Sequence, residues 1–337
     1  VQPYLALALG LQAAGHDVCV AAEESLVDSI IPERGVALFP IRAMSREQMQ
    51  AHFASAMWNR RRAARASVAA NTLQLEHRVA DCLNACHSSD AIVYSTLALF
   101  GSSIAEKLGV PFFPAHVFPV NPTSAFPNVW LGTAGLRFNL GGAYNRLTHE
   151  AGRLLFWQVY RQSLNAVRQD VLNLSPLPLR SYKQMDRQRQ PVLYAYSHTL
   201  LPKPPDWGDW LHVTGTWFLA RSVDWQPPSK LVDFLSSGPP PVYVGFGSMT
   251  YRQDEMAEFI VKALTRAKQR GILSTGWSGL TNADLPDDVF KVESVPHEWL
   301  FPRMAAVVHH GGSGTLAAGL RAGLPTATVP FFSDQPL

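Results

Sequence analysis

The sequence predicts an α/β protein built on two doubly wound parallel sheets, and three observations carry that prediction. Strand-like and helix-like segments alternate along nearly the whole chain, the pattern of stacked βαβ units. Hydrophobic residues make up 47% of the 337 residues and charged residues 16%. That suffices for two cores at roughly 150 residues per domain. A proline-rich stretch, with Pro227-Pro228 and then Pro239-Pro240-Pro241, separates two runs of alternation. The expected division is therefore 1–218, a linker over 219–240, and 241–337.

In the first run, Gln2-Pro3-Tyr4 leads into an apolar segment ending at Gly15, a helix with proline near its first position and glycine at its C-cap. Asp17 to Ala21 and Val36 to Ile41 read as strands, and Arg46 to about Asn84 as helical. Ala91 to Ser95 is a buried strand, Leu99 to Leu108 a helix, and Val110 to Phe113 a strand. Residues 114–142 are rich in Pro, Phe and Gly and too long for a passive connection, which makes them a candidate pocket wall. A helix comes next over Ala143 to Asn173, then short strands at Val192 to Ser197 and Val213 to Trp217.

The second run is more regular. Val242 to Phe246 is a strand, Glu255 to Gln269 a helix, and Ile272 to Thr275 and Val289 to Val292 are strands. Pro296 opens a short helix through Met304. Ala306 to His310 is a strand, a glycine turn leads into a helix to Ala322, and Pro325 to Phe332 is the last strand. A parallel sheet usually opens with a strand before its first helix and closes with a helix over its last strand. Neither is found, so the sequence is read as a piece lacking both termini.

Composition narrows the function. Net charge is +3, from 29 Lys+Arg against 26 Asp+Glu, too balanced for a dedicated nucleic-acid binder. Cys19, Cys82 and Cys86 are too few for a secreted disulfide framework. No apolar run approaches the ~18 residues of a membrane span, and no signal peptide opens the chain. A cytoplasmic location is expected.

The segment that carries chemistry is Val307-Val-His-His-Gly-Gly-Ser-Gly-Thr315. A strand ends in two histidines, glycines turn the chain tightly, and a helix begins at about Thr315. The first amides of a helix lack intrahelical partners and sit at the positive end of its dipole. Glycines admit a ligand close to the backbone, and Ser313, Thr315 and His310 add donors; such a site suits a diphosphate. The turn is equally compatible with a plain structural connection. It also fits G-x-G-x-x-A over Gly312 to Ala317, with Asp334 about 20 residues on, as in a dinucleotide-binding oxidoreductase. Against that rival, the unit closes its domain where such a fingerprint would open one.

Taken with Pro330-Phe-Phe-Ser-Asp-Gln335, Val242 to Ser248, Ser274-Thr-Gly-Trp277, Val295 to Phe301 and the opening helix, this signature resembles a known family across nearly the whole chain. The family is the bacterial and fungal glycosyltransferases of the UDP-glycosyltransferase superfamily, nearest the sterol glucosyltransferases and those of glycopeptide-antibiotic synthesis. A glycosyltransferase family 28-like N-terminal domain is part of the resemblance. It implies a GT-B fold, with an acceptor domain and a nucleotide-sugar domain facing across a cleft.

By the same resemblance His310, Gly312, Ser313, Gly314 and Thr315 hold the diphosphate, with Ser248 approaching from another loop. Val295 and His297 meet the nucleobase with Trp277 nearby, and Asp334 and Gln335 hold sugar hydroxyls. UDP-glucose is the expected donor, a dTDP- or deoxy-sugar being left open. No cofactor is expected, and no metal, because helix and side-chain donors neutralise the leaving group and no Asp-x-Asp element is present. The family's catalytic base is an Asp just upstream of the segment matching Val1, so no residue here is assigned that role. A binding protein that keeps the donor site without a base stays open beside the enzyme.

Other features have plainer readings. Cys82, Cys86 and His87 lack a second ligand pair and read as ordinary packing residues. Arg60-Arg-Arg62 and Arg65 near Trp58 make either a solvated helix face or a basic face for anionic lipid. Peripheral contact at the inner membrane face would suit a lipid acceptor. Phe113, His116, Phe118 and Phe126, with Phe112, Trp130, Asn121 and Thr123, suit either an apolar acceptor pocket with polar anchors or simple core packing.

Overall fold

The computed structural model describes residues 2–24, 35–42, 62–128, 131, 140–220, 225–246, 253–274, 285–293, 295–330 and 335. The chain divides into two compact units, Val1–Leu219 and Ala220–Leu337.

In the first unit, α1 (Gln2–Ala13) has Pro3 in its first turn, where a missing N–H costs nothing. β1 (Cys19–Glu23) pairs in parallel with β2 (Ala37–Ile41). A second parallel sheet places β3 (Ile92–Ser95), β4 (Phe112–His116), β5 (Val192–Tyr194) and β6 (Leu211–Val213) side by side in that order. Three helices accompany these sheets: α2 (Arg62–Ala85), α3 (Gly101–Leu108) and α4 (Gly142–Asp170). Val79 and Cys82 of α2, Ile92 of β3, Ile104 of α3, and Trp157, Leu164 and Val167 of α4 form one buried cluster. Arg168, only 2% exposed, ties α4 to α3 through Glu106 (2.7 and 3.0 Å) and Ser103 (2.9 Å). A one-turn helix, α5 (Gln184–Arg187), precedes β5.

Several boundaries differ from the sequence expectation. The strand expected over Val213 to Trp217 is β6, which starts earlier and ends at Val213. Gly215 takes φ +85, and Trp217 Nε1 turns back to donate to Thr214 Oγ1 at 3.0 Å. Residues 229–236, inside the expected linker, form α6 (Ser229–Ser236), and its Leu231 is fully buried in the core of the second unit. The part of the expected Arg46–Asn84 helix before Arg62 lies outside the described residues.

The second unit is a five-stranded parallel sheet ordered β11-β10-β7-β8-β9. Its strands are β7 (Val242–Gly245), β8 (Gly271–Ser274), β9 (Val289–Val292), β10 (Ala306–His309) and β11 (Thr326–Thr328). Its remaining helices are α7 (Gln253–Ala267), α8 (His297–Leu300) and α9 (Ser313–Arg321). Strand periodicity sorts the core onto two faces. Tyr243, Ile272 and Val307 join Leu231, Leu300 and Phe301 on one side. Val244 and Leu273 meet Ile260 and Leu264 of α7 on the other. Both faces are covered, as parallel sheets require. Among the described residues no helix is long and apolar enough to cross a membrane.

Candidate functional site

The second unit reverses its winding at β7. The chain proceeds from β7 to β8 and β9 on one side, then returns to place β10 and β11 on the other. At such a switch point the carboxyl ends of two neighbouring strands open a crevice, the favoured ligand position in parallel sheets. Here those ends are Gly245 and His309, directly paired in register.

The glycine turn after β10 is built to expose amides. Gly311 adopts φ +92, which an L side chain rarely tolerates, and its N–H donates to His309 Nδ1 at 2.9 Å. A Cβ at Gly311 would stand 2.9 Å from the backbone oxygen of Gln335, so the turn is closely packed from outside as well. Helix α9 begins at Ser313, two residues before the expected Thr315, with Gly312 at its N-cap. Its first helical bond runs from Leu316 N–H to Gly312 O at 3.0 Å. The amides of Ser313, Gly314 and Thr315 therefore have no intrahelical partner and lie at the positive end of the dipole. The His310 ring folds over this start: its Nε2 lies 2.5 Å from where a Cβ on Gly312 would be.

The turn thus unites His310, Gly312, Ser313, Gly314 and Thr315, with Gln335 against it. Val295 packs at the edge of the buried cluster beneath α8. His297 opens α8; its ring stacks on Phe301 with centroids 4.3 Å apart, and its Nε2 lies 3.3 Å from the Tyr243 hydroxyl. Burial pushes His297 down to about 4, with nearby His309 adding to the shift. His309 falls to about 4 for the same reason, with His310 adding. Ser248, Trp277 and Asp334 lie outside the described residues.

The aromatic set of the first unit is less unified. Phe113 and His116, three residues apart on β4, point to opposite faces of the strand. His116 is 5% exposed, its Nδ1 shares a 2.7 Å hydrogen bond with Thr96 Oγ1, and burial pushes it down to about 4. Phe118 lies two residues beyond β4. Phe126 packs on α4, its carbonyl accepting from His149 Nε2 at 3.0 Å. The loop between them is pinned from below. The Tyr194 hydroxyl accepts from Asn121 N–H (3.0 Å), Trp207 Nε1 donates to Pro122 O (3.1 Å), and Asp206 accepts from Thr123 Oγ1 and Ser124 N–H, both at 2.7 Å. Tyr4 of α1 reaches the same strand ends, donating to Ala115 O at 2.9 Å.

Sequence reasoning missed Thr96, Tyr194 and Tyr243, while its alternative reading of His309 as a structural histidine agrees with that ring's full burial. Thr96 and Tyr194 sit at or just beyond the carboxyl end of a strand, the one positional signal available, whereas Tyr243 is the second residue of β7. Among the described residues no three metal-ligating side chains converge, Cys82, Cys86 and His87 included.

Comparison with known proteins bears on this geometry. Residues 1–127 match the glycosyltransferase family 28 N-terminal domain, and residues 274–337 match the erythromycin biosynthesis protein CIII-like C-terminal domain. A sterol 3-beta-glucosyltransferase of Arabidopsis thaliana is 35% identical over 348 residues, covering 100% of this chain and 53% of the relative. The chain is similar to the sterol 3-beta-glucosyltransferases along its whole length. One from Cryptococcus neoformans is 33% identical over 365 residues, covering 99% of this chain and 22% of its own length. The chain thus spans about half of the plant relative and about a quarter of the fungal one. The solved structure of the glycosyltransferase VinC, in complex with dTDP, superposes with a TM-score of 0.59 at 18% identity, covering 100% of this chain and 80% of that one. At that identity the likeness establishes the fold.

Proposed function

We propose that the protein transfers a hexose from a nucleoside diphosphate sugar, UDP-glucose first, to a hydroxyl of a sterol-like or other apolar acceptor, with inversion. One observation carries this reading: the β10–α9 turn presents three helix-terminal amides, two hydroxyls and the His310 ring at the switch point of a parallel sheet. Relatives named for sterol glucosylation and a structural neighbour crystallised with dTDP support the same ligand class.

In the reaction the acceptor oxygen bonds to the anomeric carbon as the bond from that carbon to the diphosphate oxygen breaks. Negative charge then grows on the leaving phosphate. Preorganised N–H and hydroxyl donors at a helix start stabilise it where it develops, an effect that reaches about 3–4 kcal/mol for one well-placed donor in other enzymes. The acceptor proton passes to a general base, which the family resemblance sets upstream of the segment matching Val1. Asp334 and Gln335 are the residues proposed to read sugar hydroxyls, because a carboxylate and an amide leave a polar group unpaired when a hydroxyl is missing. The donors present make a divalent metal dispensable.

A panel of UDP- and dTDP-sugars with sterol acceptors, run on the full-length protein and read by product mass, tests the proposal. A hexose added to the sterol hydroxyl, undiminished by EDTA, is the expected result. No sugar transfer with any donor overturns the activity, and turnover lost to EDTA and restored by magnesium overturns the metal-free mechanism.

A further inference from the structure

The two histidines that end β10 have different jobs in this geometry. His310 lies over Gly312, beside the helix amides. His309 is fully buried and faces inward beside Gly245, and its ring makes one hydrogen bond among the described residues, accepting the Gly311 N–H at Nδ1. An atom that accepts from an N–H carries no proton itself. Neutral His309 therefore holds its proton on Nε2, which is buried and without a partner among the described residues. A buried donor left unpaired is costly, so the Nδ1 contact is kept despite that cost.

We propose that His309 is a positioning residue for the nucleoside diphosphate: its Nδ1 pins the Gly311 amide and so sets the turn on which His310 and the first amides of α9 meet the ligand. The inference rests on the reading that a nucleoside diphosphate binds this turn. Two features make the pin matter. Gly311 sits at φ +92, one of several conformations open to glycine, so the hydrogen bond to His309 selects it from a permissive backbone. On the outer side the backbone oxygen of Gln335 lies 2.9 Å from where a Cβ on Gly311 would be, so only a residue without a side chain fits the pinned turn. With the Gly311 amide engaged inward, the amides of Ser313, Gly314 and Thr315 are the ones left for phosphate oxygens. His309 itself touches no phosphate and supplies no positive charge.

Asn and Gln substitutions separate this role from packing. The Oδ1 of Asn occupies roughly the place of the imidazole Nδ1 and can accept from Gly311, whereas the Gln amide reaches toward the Nε2 position. UDP and dTDP are titrated calorimetrically into the wild type, His309→Asn, His309→Gln and His309→Leu, with thermal melting to confirm folding. The expected result is affinity within about threefold of wild type for Asn, and a loss of about ten- to hundredfold for Gln and Leu. Asn as weak as Leu, with both folded, overturns the proposal while leaving the site intact. A wild type that binds neither nucleotide removes the underlying reading and the proposal with it. Should the Gln and Leu variants fail to fold, nitrogen NMR of wild-type His309 decides: an unprotonated Nδ1 that keeps its hydrogen bond when UDP is added supports the pin, and a protonated Nδ1 overturns it.

Discussion

Each unit ends a strand in a buried histidine that burial keeps neutral, His116 on β4 and His309 on β10, yet the two strand ends offer different chemistry. After His116 the chain enters a proline-rich loop whose amides are consumed internally, Asn121 by Tyr194 and Ser124 by Asp206. The histidine is held by a side chain, Thr96. After His309 two glycines turn the chain straight into a helix, and the histidine is held by a backbone amide of that turn. The first arrangement leaves these loop amides already paired within the protein. The second leaves an array of aligned N–H groups, suited to an anion. On the proposed reading, the turn and helix start beyond the strand, and not strand-end burial, make the phosphate site.

The contrast is broken most severely at Gly311. A Gly311→Val change forces a β-branched residue into φ +92 against the Gln335 backbone, a strain of a few kcal/mol. UDP affinity should fall by about a hundredfold in calorimetry. Affinity within threefold of wild type would show that the turn is not the anion site.

Next in size is Thr315→Val, which removes one hydroxyl donor to a charged oxygen. Nucleotide binding should weaken by roughly 1.5–3 kcal/mol, measured the same way. The matching change in the other unit, His116→Leu, leaves the Thr96 hydroxyl without its partner. It should destabilise the first unit by about 1–3 kcal/mol in denaturant titration and leave UDP affinity unchanged. A His116 variant that loses UDP binding would erase the distinction between the two strand ends.

Near neutral pH the smallest effect is electrostatic, and it grows as the solution is acidified. His116, His297 and His309 each sit at about 4 in the folded protein, below the ordinary value near 6.5. Between those values the unfolded chain binds the proton and the folded chain does not, so stability is full above pH 6.5 and is lost as pH falls toward 4. Each histidine contributes up to about 1.4 kcal/mol per pH unit in that window. His309→Asn should flatten the acid limb for the second unit, and His116→Gln that for the first. Unchanged acid limbs would mean that these rings are not held neutral.

The sheets and the glycine turn were legible because they are local. Apolar runs of four or five residues, a glycine where φ is positive and a hydroxyl at the helix start are written in consecutive residues. The turn's helix began two residues early because Gly312 caps it with backbone geometry and no side-chain hydrogen bond. Less legible were contacts that cross the fold. Thr96 and His116 are 20 residues apart, Tyr194 meets Asn121 across 73, and Tyr243 meets His297 across 54. The stretch expected as linker hides α6 because flanking prolines signal loop, while Leu231 finds its reason only in the core it fills. Phe113 and His116 were grouped by proximity in sequence, and the two-residue period of β4 separates them.

The central claim is that the nucleoside diphosphate sits on the β10–α9 turn of the second unit. Amide NMR of the isotope-labelled protein during a UDP titration tests it most directly. The largest shifts should fall on Ser313, Gly314 and Thr315, with Thr96, Ala115 and His116 unmoved. Largest shifts at the carboxyl ends of β3 and β4, with the glycine turn silent, would contradict it.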